Sequence, residues 1–185
     1  MQKDWIKAEK ILKDDGVVIL PTDTLYGIIG SAFSKKAVER IYRIKGRNSD
    51  KPFIVLITSF LDLEKFGIKT GEKEAKILKK FWPGKVSIIL PCKSEKWKYI
   101  HRGTNGIAFR MISKKNNNLY DLINKVGSLV APSVNREGDT PAKTISEAKK
   151  YFGDGVDLYI DSGKRDVEPS KLLKYENGGF TILRK

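Results

Sequence analysis

Gly16 is followed by Val17-Val18-Ile19-Leu20 and closed by Pro21. This short, unbroken apolar run constrains the chain more than any other stretch, because it has β-branched character and no polar alternation. It predicts a strand buried on both faces. Trp5, Ala8 and Leu12, with Ile11 beside them, recur at helical spacing, and Asp14-Asp15-Gly16 supplies the stop. Ser34 is placed to cap a second helix with Ala37, Val38, Ile41 and Ile44 on one side, and Gly46 to end it. The alternation continues with strands at Phe53–Ile57, Val86–Leu90, Ile107–Arg110, Ser128–Ala131 and Leu158–Asp161. Between them, helices are predicted at Ser59–Phe66, Glu72–Phe81, Asn117–Val126 and after the Thr144/Glu147 capping box. Lys171–Tyr175 and Phe180–Arg184 close the chain as a hairpin, with Asn177-Gly178 suited to its turn. The class is α/β, in one domain spanning 1–185.

Composition narrows the partner. Thirty-six Lys+Arg against 22 Asp+Glu leave +14, which favours a polyanion: nucleotide phosphates, nucleic acid or an anionic surface. No apolar run approaches the roughly 20 residues of a bilayer span, and Met1–Lys10 lacks the apolar centre of a signal peptide. A soluble, cytoplasmic protein without membrane contact is expected. A single Cys92 excludes an intrachain disulfide, and one Cys with one His101 offers little for a structural zinc site. Cys92 reads as a small buried filler, and His101 as a solvated residue in an exposed, Lys-rich loop spanning Lys93–Asn105.

Neither G-x-x-x-x-G-K-[ST] nor G-x-G-x-x-G occurs, so a phosphate site must be built differently. Polar side chains instead gather where strands end, which is where open α/β sheets place ligand crevices. Pro21-Thr22-Asp23-Thr24-Leu25-Tyr26-Gly27 brings two hydroxyls, a carboxylate and a phenol together after the buried strand. Lys45-Gly46-Arg47 and Lys51 lie beyond a helix end, and Ser133-Val134-Asn135 follows Pro132. Asp161-Ser162-Gly163 and Glu168-Pro169-Ser170 form a polar return loop before the final hairpin. Only eight cations are Arg; Arg47, Arg110 and Arg184 fall in or beside strand ends, where a planar fork suits carboxylate or phosphate.

In succession these segments resemble the YrdC-like domain of the threonylcarbamoyl-AMP synthase family. P-T-[DE]-T-x-Y-G is met by Pro21–Gly27, K-x-R by Lys45–Arg47, W-P-G by Trp82–Gly84 and S-x-N by Ser133–Asn135, and the resemblance runs from about Ile6 to Arg184. It implies a twisted, open, mixed sheet flanked by helices, with a concave ligand cleft. It also implies condensation of L-threonine, bicarbonate and ATP into threonylcarbamoyl-AMP and pyrophosphate, with Mg²⁺ accompanying ATP. The product would feed threonylcarbamoylation of tRNA by a partner transferase machinery.

By the same resemblance Thr22, Leu56, Arg110, Ala131 and Ser170 would form the threonine pocket, with Arg110 on the carboxylate. Arg47, Lys51, Gly106, Ser133, Pro141 and Arg184 would contact ATP. Lys45, Arg47, Ser133 and Asn135 would make up the catalytic set, with no protein metal ligand and no covalent nucleophile. The chain departs from the family pattern at Lys85 and Ser87 after W-P-G, at Lys171 after Ser170, and at Arg136-Glu137-Gly138 after S-x-N. Lys171 would add a cation close to the pocket, while Ser87 keeps the polar function. The extra C-terminal domain of the longer synthases would be missing, so that any lid must come from a loop or a partner. Two other readings stand beside the synthase. One is an RNA-binding module using Lys93–Arg102 with Trp97 and Tyr99, which also admits a weak contact with tRNA. The other is a YrdC-like protein that makes a different carbamoyl-adenylate.

Overall fold

The computed structural model describes residues 2–48, 50–176 and 178–185. The helices are α1 (Gln2–Lys13), α2 (Lys35–Lys45), α3 (Leu61–Glu64), α4 (Glu72–Leu78), α5 (Lys98–His101), α6 (Asn117–Val126) and α7 (Ile145–Phe152). The strands are β1 (Val18–Pro21), β2 (Tyr26–Ser31), β3 (Ile54–Ile57), β4 (Val86–Pro91), β5 (Gly106–Met111), β6 (Leu129–Val130), β7 (Leu158–Tyr159), β8 (Lys171–Glu176) and β9 (Gly179–Arg184). Among the described residues they form one nine-stranded sheet in the order β7-β1-β2-β6-β3-β5-β4-β8-β9. Three parallel pairs (β1/β7, β3/β5, β4/β8) stand among antiparallel ones, so the sheet is mixed.

Burial on both faces follows from the apolar run. Val18 and Leu20 face a core shared with Ala8 and Leu12 of α1 and with Leu119, Leu122 and Ile123 of α6. Ile19 faces the opposite, larger core, where Ala37, Val38 and Ile41 of α2 and Ala148 of α7 pack. The period-two alternation of a strand thus feeds two helical layers. The helix ends match their signals. Ser34 Oγ accepts from the Ala37 amide at 3.1 Å, a cap worth about 1 kcal/mol, and Gly46 takes the left-handed φ of 57°. Thr144 Oγ1 accepts from the Glu147 amide at 3.2 Å, while the Glu147 carboxylate returns to the Lys143 amide at 2.7 Å, one residue before the expected donor. Gly178 has φ of 78° at the last hairpin; the Asn177 half of the expected turn lies outside the described residues.

Two expectations are corrected. Tyr26–Ser31, read as the tail of a polar turn and an unassigned stretch, is strand β2, paired antiparallel with β1. Gly27 and Gly30 hide it, since glycine carries little strand signal. Gly30 is needed because α2 lies close: a Cβ there would meet Ile41 Cδ1 at 3.0 Å and Ala37 Cβ at 3.2 Å.

The Lys93–Asn105 stretch is not an exposed loop. A 3₁₀ turn, Glu95–Trp97, leads into α5, and Trp97, Ile100 and His101 are buried. Trp97 packs against Phe66 with centroids 4.8 Å apart, and the Tyr99 hydroxyl donates to the Ala32 carbonyl at 2.9 Å. His101, 1% exposed, accepts from the Gly103 amide at Nδ1 (3.1 Å) and approaches the Ser94 carbonyl with Nε2 (3.2 Å), so Nε2 carries the proton. The interleaved lysines mask an i, i+3, i+4 apolar face, and the aromatics proposed for gripping RNA are turned inward.

Candidate functional site

The β1–β2 connection is shaped by its own hydroxyls. Thr22 Oγ1 donates to the Leu25 carbonyl at 2.7 Å and accepts from the Thr24 amide at 3.1 Å, a local side-chain turn that leaves Asp23 at the tip. Asp23 is directed inward, where its carboxylate meets Nη2 of Arg110, on β5, at 3.0 Å. Both side chains are nearly inaccessible, 6% and 4% exposed. The contact is close yet poorly aligned: Asp23 Oδ1 and Arg110 Nε have no hydrogen-bond partner. Burial pulls the Arg110 guanidinium below its ordinary pKa, Asp23 opposes that shift and Arg184 reinforces it. A buried guanidinium with an unused N–H is a ready donor site for a carboxylate ligand.

Arg165 holds the turn from outside. Its Nη2 donates to the Thr22 carbonyl at 2.5 Å and the Thr24 carbonyl at 2.9 Å. The Tyr26 hydroxyl donates to the Gly163 carbonyl at 2.7 Å and accepts from the Ser162 amide at 2.9 Å. The return loop is therefore tied to the turn at two points. Its other end brings Ser170 beside Ser87, with the hydroxyls 2.9 Å apart, and Arg184 reaches back to the Ser170 carbonyl at 2.8 Å.

On the opposite wall the K-x-R and S-x-N segments are interlocked. Lys45 is 1% exposed and donates from Nζ to the Ser133 carbonyl at 2.6 Å and the Asn135 carbonyl at 2.5 Å. Its pKa is pulled down to about 7, first by burial and then by Arg47, with Glu137 opposing. Ser133 Oγ donates to Asn135 Oδ1 at 2.6 Å, and the Asn135 amide group donates to the Arg136 and Asp139 carbonyls. Glu137 bridges both segments, accepting from the Asn48 amide at 2.5 Å and pairing with Lys51. These contacts hold the Glu137 carboxyl below its ordinary pKa, the Lys51 hydrogen bond being the main cause.

A cavity of about 760 Å³ lies between these walls. Of the expected threonine set, Thr22, Arg110, Ala131 and Ser170 line it; of the expected nucleotide set, Arg47, Lys51, Gly106, Ser133, Pro141 and Arg184 do. Three expected residues stand outside its wall. The Leu56 side chain is wholly buried in the core beside α1 and α6, while Lys45 and Asn135 support the wall from behind. Lys171 is exposed on β8 and does not reach the cavity, whereas Ser87 keeps its polar contact through Ser170. Sequence reasoning gave Asp23 and Arg165 no role. Asp23 lay within a recognised motif, but its partner is 87 positions away; Arg165 lay in a loop with no pattern of its own. Among the described residues no group of three His, Cys, Asp or Glu is placed to hold a metal ion.

The chain was compared with known proteins on this basis. It is 36% identical over 164 residues to a threonylcarbamoyl-AMP synthase of Bacillus subtilis, an alignment covering 87% of this chain and 46% of that protein. The P. abyssi Sua5 structure complexed with L-threonine superposes with a TM-score of 0.86 at 30% identity, over 99% of this chain and 54% of that one. E. coli YciO shares the fold, with a TM-score of 0.85 at 21% identity, over 100% of this chain and 90% of that one. The chain thus spans about half the length of the curated synthases of Bacillus and Pyrococcus that it matches. The sequence model of the Sua5_yciO_yrdC family, described as "Telomere recombination", matches residues 10–185. The mixed sheet, the motif-bearing walls and this match over nearly the whole chain place it plainly: it belongs to the Sua5/YciO/YrdC family.

Proposed function

We propose that this domain carries the synthesis of threonylcarbamoyl-AMP from L-threonine, bicarbonate and ATP, as a nucleotidyltransferase. The observation that carries the reading is one cavity bounded on one side by the buried Arg110, with its unused N–H and with Arg184 near it, and on the other by Arg47 and Lys51. An amino-acid carboxylate suits the first wall, and a polyphosphate suits the second. The naming of the Bacillus relative and the threonine held by the Pyrococcus structure support the same assignment.

In this reading the threonine nitrogen bonds to the carbon of bicarbonate, releasing water and leaving an N-carboxylate. One carboxylate oxygen then attacks the α-phosphorus of ATP, the bond to the β-phosphate oxygen breaks, and pyrophosphate departs. Both reactants are anionic, so the protein's task is to neutralise charge and align them rather than to supply a covalent nucleophile. Arg47 and Lys51 offer the neutralisation. Mg²⁺ enters as part of the MgATP substrate, held by phosphate oxygens and water; the lining cations suit its phosphates better than they suit the ion. The adenylate would pass to a transferase that modifies tRNA. No helix among the described residues is long and apolar enough to cross a membrane.

Pyrophosphate release from purified protein with MgATP, with and without L-threonine and bicarbonate and with L-serine as a control, tests the reading. Release that requires both co-substrates is expected. Release independent of threonine, or none at all, overturns it.

A further inference from the structure

Four side chains are stacked in a line that ends at the cavity. Arg102 lies with its guanidinium carbon 3.8 Å from the centre of the Tyr42 ring. Tyr42 is stacked on Phe53, with centroids 3.9 Å apart and planes 18° from parallel, and Arg47 lies over Phe53 at 5.5 Å. Both rings are buried, and Phe53 and Arg47 line the cavity. At the end away from the cavity Arg102 pairs with Glu39 at 3.0 Å, yet its buried Nε and Nη2 have no hydrogen-bond partner, so the aromatic face is what it addresses. Its backbone has φ of 53°, the left-handed region that an L side chain seldom adopts, so the surrounding structure holds it there.

The stack also converges on one backbone atom. The Tyr42 hydroxyl donates to the Lys51 carbonyl at 2.9 Å, and Arg47 Nε donates to that same carbonyl at 3.1 Å. A carbonyl with two lone pairs can accept both. Phe53 then fixes the plane of the Arg47 guanidinium, while the carbonyl fixes its direction. A long side chain at a loop loses most of its rotamer freedom under two such restraints, and that loss is then not charged to ligand binding.

We propose that Tyr42, clamped between Arg102 and Phe53, is a positioning residue for Arg47: its hydroxyl holds the Lys51 carbonyl that aims the guanidinium into the cavity. The kinetic part rests on the proposed nucleotide role of Arg47; the geometric part does not.

Tyr42→Phe removes the hydroxyl and keeps the stack. The expected result is a rise in KM for ATP of about fivefold, the order expected for one hydrogen bond that orients a charged group, with KM for threonine and the melting temperature nearly unchanged. Within the cycle Tyr42→Phe, Arg47→Ala and the double variant, the hydroxyl effect disappears once Arg47 is gone. In parallel, the Arg47 Nε–H resonance, assigned through Arg47→Lys, should exchange slowly with solvent in the parent protein and faster in Tyr42→Phe. An undiminished Tyr42→Phe effect in the Arg47→Ala background overturns the proposal, as does an unchanged Nε–H exchange rate. Should the parent protein show no dependence on ATP, the functional reading falls, while the exchange measurement still decides the positioning role.

Discussion

Asp23 and Arg110 meet at 3.0 Å between a turn and a strand 87 residues apart, both side chains nearly inaccessible. Removing one partner of such a pair leaves an uncompensated buried charge, which costs about 3–5 kcal/mol, whereas removing both can be nearly neutral. Asp23→Ala is therefore expected to lower the urea midpoint strongly, and Asp23→Ala/Arg110→Met to recover much of the loss without activity. Equal destabilisation by the single and double variants would show that the carboxylate does not compensate the guanidinium.

Lys45 makes a pH-dependent contribution of unusual sign. An unfolded lysine titrates near 10.4, while burial brings Lys45 down to about 7 in the folded chain. Between those values the unfolded state holds the extra proton, so stability rises with pH from about 7 to about 10 and the increment is absent below about 7. Denaturant unfolding across pH 6–10 should show that rise in the parent and a flatter profile in Lys45→Met. Parallel profiles would mean that Lys45 stays charged when folded.

Arg165 supports the Thr22–Thr24 turn through three backbone hydrogen bonds. A bond from a charged donor is worth about 1.5–3 kcal/mol, so a loosened turn should be felt at Asp23 and Arg110. Arg165→Met should raise KM for threonine by about tenfold and leave KM for ATP near the parent value. A matching rise in both would place the effect on the whole fold.

Glu137 competes with any anionic ligand for Lys51. Glu137→Gln should lower KM for ATP by about two- to fivefold in dilute buffer, with the gain fading above about 0.3 M salt as screening removes the difference. An increase in KM would instead mark Glu137 as needed to hold Asn48 and Lys51 in place.

Most of the fold was legible because its elements carry local signals: a doubly buried β1, a Ser34 cap and a Thr144 cap. What escaped depends on contacts between distant segments. β2 looks weak because its glycines admit a helix that only the folded chain brings near. Trp97, Ile100 and His101 looked like parts of a lysine loop because charge on the outer face outnumbers the apolar residues on the inner one. In the site, motif residues that line the cavity were readable one by one. The division of labour was not: Lys45 and Asn135 lie behind the wall, and Asp23 and Arg165 acquire meaning only from partners far along the chain.

The sheet order sets β8 against β4 and carries Arg184 of β9 back to Ser170, while Thr22 and Arg47 come from the first third of the chain. The cavity therefore joins segments far apart in the sequence, Thr22 to Arg47 with Ser170 to Arg184. During synthesis the early segments can fold only against one another, so a nascent chain that has reached α7 holds Arg47, Lys51 and Arg110 but lacks Ser170 and Arg184. Capacity to bind both reactants should therefore emerge abruptly, once β8 and β9 have been made, rather than grow in proportion to length.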